Sequence, residues 1–199
     1  SSPHFGFQVS AEGSGYTWAE NGKENQLTPW SNDPVVNPTG EALYLWDEEK
    51  RQFWSPLAAV FPDDNAVYVC RHGRGYSQFD GHTNDIASTL LQYVPVEDPV
   101  KISRLKLTNT SSRPRTLRVT TYTEWVLGQS RSTTAPFVFT EQDNDTGALF
   151  VRNKWGEMFG DRVAFADMSA QQTSSTDDRC TFLGRNGTIS APQAIVRGG

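Results

Sequence analysis

Leu117, Val119, Thr121, Thr123 and Trp125 hold alternate positions, with Arg118, Thr120, Tyr122 and Glu124 between them. A period of two over nine residues, rich in β-branched and aromatic types, predicts a β-strand. Upstream, Val100 and Ile102 alternate, while Leu105 and Leu107 alternate on the opposite parity. The change of parity near Ser103 and Arg104 predicts a bulge or a strong local twist. Residues 109–114 are turn formers, so the two runs predict a β-hairpin over 100–126. Shorter strands are predicted at 5–9, 41–47, 51–54, 66–70, 75–79, 86–94, 137–140, 148–151 and 162–168. Asp47 to Lys50, Asp63-Asp64-Asn65, Asp143-Asn144-Asp145 and Ser174 to Asp178 read as turns or loops. A sustained i, i+3, i+4, i+7 apolar face is missing, although residues 128–134 can hold a helical turn. Many short strands punctuated by Gly, Pro and Asn predict an all-β antiparallel sandwich. Without repeats or linkers, residues 1–199 read as one domain. Its end, running through Ala191-Pro192 to Gly198-Gly199, reads as the middle of an element and so as a truncation.

Composition narrows the class. The 199 residues are 36% hydrophobic and 21% charged, enough to bury a core, and they include six Trp, six Tyr and eleven Phe. Apolar runs fall well short of the ~18 residues of a membrane span, and no signal-peptide pattern opens the chain. The net charge of −5, without a Lys/Arg block, argues against nucleic acid. Arg113, Arg115 and Arg118 read as the solvated face of a strand. Cys70 and Cys180 read as two free buried thiols, with one long-range bridge as the alternative. The sequons at Asn109, Asn144 and Asn186 carry little weight alone.

Candidate chemistry is sparse. Cys70-x-His72 places a thiol and an imidazole on one face of a strand, half of a metal site. Zinc needs three or four ligands and no second cluster has matching spacing, so neither a metal nor a cofactor is assigned. Asp143 to Gly147 begins like a calcium loop, but Ala148 and Lys154 occupy the positions that need Gly and Glu. Gly13-x-Gly15 and Gly73-x-Gly75 read as turns rather than phosphate cradles. The 23 Asp and Glu leave any pair of glycosidase carboxylates unselected by spacing.

Residues 15–34 are different. The segment is poor in aliphatics and dense in Trp, Tyr, Asn, Glu and Asp. Aromatic faces take the C–H side of a pyranose, and amides and carboxylates take its hydroxyls. Trp18, Glu20, Asn21, Trp30, Asn32 and Asp33 are therefore candidate sugar contacts, with a core role for the two Trp as the alternative. Arg71, His72 and Tyr76 form a second candidate cluster, in which His72 reads equally well as a structural histidine.

These segments resemble a known family. Gly15-Tyr16-Thr17-Trp18-Ala19-Glu20-Asn21 and Leu27-Thr28-Pro29-Trp30-Ser31-Asn32-Asp33-Pro34 are similar to a stretch of the family 94 glycoside phosphorylases. The nearest likeness is to the phosphorylase-like region of cyclic β-1,2-glucan synthases. Gly40-Glu41-Ala42, Phe53-Trp54-Ser55-Pro56, Tyr68-Val69-Cys70-Arg71-His72-Gly73, Gly75-Tyr76-Ser77, Thr108-Asn109, Phe137-Val138, Asp178-Arg179 and Phe182-Leu183-Gly184-Arg185-Asn186-Gly187 follow in the same order. The resemblance implies an N-terminal super-sandwich of the galactose-mutarotase type, followed by a helical linker and an α/α toroid. The toroid carries the catalytic Asp and the phosphate site, and this chain has no helical segment to match it. On that reading the chain is a non-catalytic module, inactive alone. Its expected partners are the toroid of the same parent chain, a β-glucan or gluco-oligosaccharide, and a second copy in a homodimeric parent. The parent is expected at the inner membrane, with this region on the cytoplasmic side. A free-standing lectin-like sandwich is the alternative, and a purely structural docking domain is a third reading.

Overall fold

The computed structural model describes residues 2–196 except 34, 65 and 157. Asn65 of the acidic turn, Pro34 at the end of the aromatic segment and the terminal Gly198-Gly199 thus lie outside the described residues. The strands are β1 (Phe5–Val9), β2 (Gly15–Ala19), β3 (Glu41–Asp47), β4 (Gln52–Trp54), β5 (Val67–Gly73), β6 (Tyr76–Thr83), β7 (Ile86–Tyr93), β8 (Ile102–Asn109), β9 (Leu117–Thr123), β10 (Val138–Gln142), β11 (Leu149–Asn153) and β12 (Ala164–Ala166). Among the described residues, three short α-helices, α1 (Arg131–Thr134), α2 (Arg179–Leu183) and α3 (Gln193–Val196), and a 3-10 turn at Ala135–Phe137 accompany them. The strands form four antiparallel sheets, ordered β1-β2, β4-β3-β9, β5-β6-β7-β8 and β10-β11-β12. The chain is therefore all-β, as its periodicity predicts. Among the described residues, no helix is long and apolar enough to cross a membrane.

Strand β7 shows how alternation builds the sandwich. Ile86, Ser88, Leu90 and Gln92 are buried on one face, and Ala87, Thr89, Leu91 and Tyr93 are half-buried on the other. In register with the inner set stand Phe79 and Ser77 of β6 and Leu105 and Leu107 of β8. Strand β3 lies deeper, buried over all but its first residue. Asp47 shares a face with Leu43 and Leu45, and its carboxylate meets Arg115. The Arg115 guanidinium also donates to the Asn84 carbonyl in the β6–β7 turn, at 3.0 Å. That face of β3 therefore looks onto the four-stranded sheet. The opposite face, through Tyr44, meets Phe182 of α2. Leu43, Tyr44, Leu45, Trp54, Leu57, Val60, Phe79, Ile86, Leu90 and Leu183 belong to the resulting core.

Several expectations are corrected. The runs at 102–109 and 117–123 are strands, but they do not pair. Strand β8 pairs with β7, and β9 pairs with β3. Alternation reports a half-buried strand, not its neighbour, and the turn at 109–114 carries the chain from one sheet to another. The bulge near Ser103 is absent, since β7 and β8 stay in register from Ile86↔Asn109 to Tyr93↔Ile102. Ile102 simply occupies the outer face beside Tyr93, while Leu105 and Leu107 occupy the inner one. Arg115 is not solvated: its side chain is 1% exposed, drawn inward by Asp47. Cys70 and Cys180 are both free, but Cys70 is half-buried and Cys180 exposed.

Candidate functional site

The aromatic segment begins as a strand. Gly15–Ala19 pairs with β1 from Val9↔Gly15 to Phe5↔Ala19. Alternation puts Tyr16 and Trp18 on one face and buries Thr17 on the other. The chain then turns through residues 20–25 and runs back alongside β2, with the Leu27 amide donating to the Thr17 carbonyl at 2.8 Å. Trp30 follows, half exposed, with its ring 6.1 Å from that of Tyr16 and tilted by 49°. Both residues line a shallow cleft of about 100 Å³, together with Gln8, Ser10, Ser14, Pro29, Ser31 and Asn37. The cleft brings two aromatic residues beside amide and hydroxyl side chains, the residue types that contact a pyranose. Of these, Asn37 Nδ2 already donates to Ser10 Oγ and Glu12 Oε2, and the Ser14 hydroxyl to the Pro38 carbonyl.

Two features hold Trp30 in place. The Gln26 side-chain carbonyl accepts from the Trp30 amide at 3.1 Å, and Gln26 itself exchanges backbone hydrogen bonds with Gly128. Pro29 lies against Gly40, where an added Cβ would stand 2.4 Å from the proline Cδ. Gly40→Ala is therefore expected to displace Pro29 and lose about 1–3 kcal/mol, the range for overpacking. Urea unfolding checks this, and an unchanged midpoint would mean that the loop gives way freely.

Beneath the cleft lies a charged group that sequence reading missed. Glu41 Oε1 accepts from the Thr17 hydroxyl at 2.6 Å and the Thr28 hydroxyl at 2.7 Å. Its Oε2 meets Lys101 Nζ at 2.5 Å. Burial pushes the Glu41 pKa up, but the Lys101 charge and the three hydrogen bonds outweigh it and hold the carboxyl below its usual range. Glu41 is thus ionised near neutrality. Its place at the head of an apolar strand gave no sign of this partnership.

The other predicted residues divide. Trp18 is half-buried beside Tyr16, with Gly22 packed near both side chains. Glu20, in the left-handed region at φ 63°, meets His4 at 3.1 Å and Arg162 at 3.2 Å. Asn21 Oδ1 accepts from the amides of Lys23 and Glu24, and Asp33 Oδ1 from those of Val35 and Val36. These oxygens shape their own loops. Asn32 is exposed on the Trp30 loop. None of Trp18, Glu20, Asn21, Asn32 and Asp33 lines the Trp30 cleft, whereas Gln8, Tyr16 and Asn37, unselected from sequence, do.

The second cluster lies on the four-stranded sheet, and the pleat splits it. Arg71 and Tyr76 share the outer face, where Arg71 pairs with Asp80 and the Tyr76 ring covers Gly73. His72 takes the inner face, with Nδ1 2.9 Å from Ser77 Oγ and Nε2 3.3 Å from Cys70 Sγ. The predicted thiol–imidazole approach is real, but His72 has its nitrogens occupied, in keeping with a structural histidine. Among the described residues, no hydrogen bond or ion pair of Arg71, His72 or Tyr76 runs directly to a residue lining the Trp30 cleft.

The fold and the Trp30 cleft define the chain as an antiparallel β-sandwich module with a half-exposed aromatic cleft. Comparison with known proteins gives the particular family. Residues 1–199 match the supersandwich domain of glycosyl hydrolase family 94, and the chain belongs to that family. The domain is a non-catalytic module of carbohydrate-active enzymes. The chain is 41% identical over 198 residues to the cyclic beta-(1,2)-glucan synthase NdvB of Rhizobium meliloti (strain 1021), covering 100% of this chain and 7% of the relative. It is 31% identical over 161 residues to the solabiose phosphorylase of Paenibacillus borealis, covering 78% and 21%. It is 31% identical over 121 residues to an N,N'-diacetylchitobiose phosphorylase of Vibrio furnissii, covering 59% and 15%. The chain thus spans less than a quarter of each of these relatives.

Proposed function

We propose that this module serves an enzyme that transfers glucosyl units to or from phosphate or a glucan. In that role it supports a catalytic α/α toroid in the same polypeptide and offers the Trp30 cleft to the glucan. The observation that carries the reading is the 41% identity to a cyclic β-(1,2)-glucan synthase along the full chain. The half-exposed Trp30, facing solvent with an amide and hydroxyl rim, supports the sugar contact. Residues 1–199 act as one super-sandwich unit, and the parent is an inner-membrane protein with this unit on its cytoplasmic side. In the parent reaction phosphate takes the place of the water used by an inverting hydrolase and attacks the anomeric carbon. The acid for that step belongs to the toroid.

A tryptophan-fluorescence titration with β-1,2-linked gluco-oligosaccharides tests the contact, with β-1,4- and α-linked ones as controls. The expected result is a saturable, linkage-selective change that disappears in Trp30→Ala without loss of fold. A folded sample that responds to no sugar would remove the glucan contact and leave a scaffold.

A further inference from the structure

Tyr16 and Trp30 form the cleft from two different segments. Tyr16 belongs to β2, whereas Trp30 follows an irregular return path. Hydrogen bonding along β2 fixes the path only as far as Thr28, whose amide donates to the Thr17 carbonyl at 3.3 Å. The hydroxyls of Thr17 and Thr28 set the spacing further. Thr17 neighbours Tyr16 and points to the buried side, and Thr28 precedes Trp30 by two residues. Both hydroxyls end on the same carboxylate oxygen, Glu41 Oε1. The Thr28 hydroxyl also accepts from the Thr17 amide at 2.8 Å, which closes the triangle. Glu41 is in turn fixed by Lys101, whose ammonium sits 4.7 Å from the centre of the Phe7 ring. Phe7 is the β1 partner of Thr17 in register.

We propose that Glu41 is the positioning residue of the Trp30 cleft, fixing the distance between Tyr16 and Trp30 through Thr17 and Thr28, with Lys101 holding its second oxygen. This rests on the reading of the cleft as a sugar site. A buried apolar side chain could fill the same space, but it could not hold two hydroxyls at one point. Geometry held by short, charge-assisted bonds is stiffer than packing alone. A cleft so fixed meets its ligand without first ordering a loop, and so with less entropy to lose. Glutamine at position 41 keeps an acceptor but turns an amide NH₂ either toward the Lys101 ammonium or toward the two hydroxyls.

The test compares Glu41→Gln, Thr28→Val and Thr28→Ser with the unmodified chain. Val60→Ala serves as a control, a core truncation remote in sequence from the clasp. Two readouts are taken on folded samples. One is the Trp30 indole N–H resonance with its proton contacts to Tyr16, and the other is the dissociation constant for a β-1,2-linked gluco-oligosaccharide. Glu41→Gln and Thr28→Val are expected to shift the indole resonance, weaken the Tyr16 contacts and weaken sugar binding about tenfold. Thr28→Ser is expected to restore all three, and Val60→Ala to lower stability without moving any. Unchanged resonances and contacts in folded Thr28→Val overturn the positioning role, even if Glu41→Gln fails to fold. If the contacts change while no variant, nor the unmodified chain, binds sugar, Glu41 still positions the aromatic pair and the sugar reading alone falls. If Trp30→Ala abolishes binding while Glu41→Gln and Thr28→Val bind normally, the sugar reading stands and the positioning role falls.

Discussion

Arg115→Met is expected to destabilise the fold by about 3–5 kcal/mol, the range for removing one partner of a buried ion pair. The Asp47 side chain is fully buried and Arg115 is 1% exposed. Removing the cation leaves a carboxylate in the core with only the amides of Glu49 and Lys50 on its Oδ1. The loss is also topological. Arg115 lies between β8 and β9, where the chain leaves the four-stranded sheet for the sheet of β3. Its guanidinium reaches Asp47 on β3 and the Asn84 carbonyl in the β6–β7 turn. One side chain thus ties both sheets to the crossing between them. Asp47→Asn keeps the turn bonds but sets an amide against the guanidinium, so it is expected to cost nearly as much. The double variant should cost less than the two losses added together, because no charge is left alone. Urea unfolding of all four proteins measures the coupling. A single-variant loss below about 1 kcal/mol, the size for exposed pairs, would mean that water reaches the pair.

This pair also marks the limit of reading the chain as a string. Periodicity gave the strands well: 41–47, 86–94 and 5–9 agree with β3, β7 and β1 to within a residue. Alternation records which residues face a core, and that information is local. Pairing is not local. The runs around Leu105 and Val119 adjoin in sequence yet belong to different sheets, because β8 pairs back on its neighbour β7 whereas β9 pairs with the distant β3. Arg115 looked solvated for the same reason, its acceptor being 68 positions away. Strand β2 was hidden because Gly15, Tyr16 and Trp18 read as a ligand loop rather than as a short edge strand.

The candidate site was half legible. Aromatic density drew attention to Trp30, which is half exposed rather than core, and Tyr16 stands in the same segment. The Asn and Asp residues drew attention by type, but such side chains serve their own backbone in turns as readily as a ligand. Asn21 and Asp33 do so here. Gln8 and Asn37 were missed because each reaches the cleft through tertiary placement. Glu41 was missed because a carboxylate opening an apolar strand resembles a strand-end charge until Lys101, sixty positions later, is brought against it.

Phe182→Ala is expected to lower stability by about 3–5 kcal/mol, the range for deleting a buried aromatic ring. At roughly 2–4 °C per kcal/mol for a chain of this size, the melting temperature should fall by about ten degrees. Phe182 is 8% exposed and stacks on Tyr122 at 5.1 Å with 13° between the planes. It also leans on Tyr44 of β3 at 6.0 Å. The Tyr44 hydroxyl donates to the Ile189 carbonyl at 2.7 Å, so one ring system binds both ends of the segment joining α2 to α3. Burial and then the Glu124 charge push the Tyr122 pKa up to about 12, which keeps its hydroxyl protonated and donating to Glu124. Glu124 also meets Arg131 at 2.5 Å and Arg179 of α2 at 3.6 Å. These polar ties lie at the edge, whereas the ring stack fills the space over β3. Without the ring the edge contacts cannot exclude water from Tyr44. Thermal unfolding followed by near-ultraviolet circular dichroism reports the loss at both tyrosines. Limited proteolysis across 167–178 reports release of α2. Rapid cleavage there with an unchanged melting temperature would make the C-terminal helices an appendage. A lowered melting temperature with cleavage only on global unfolding would make them the outer layer of the core.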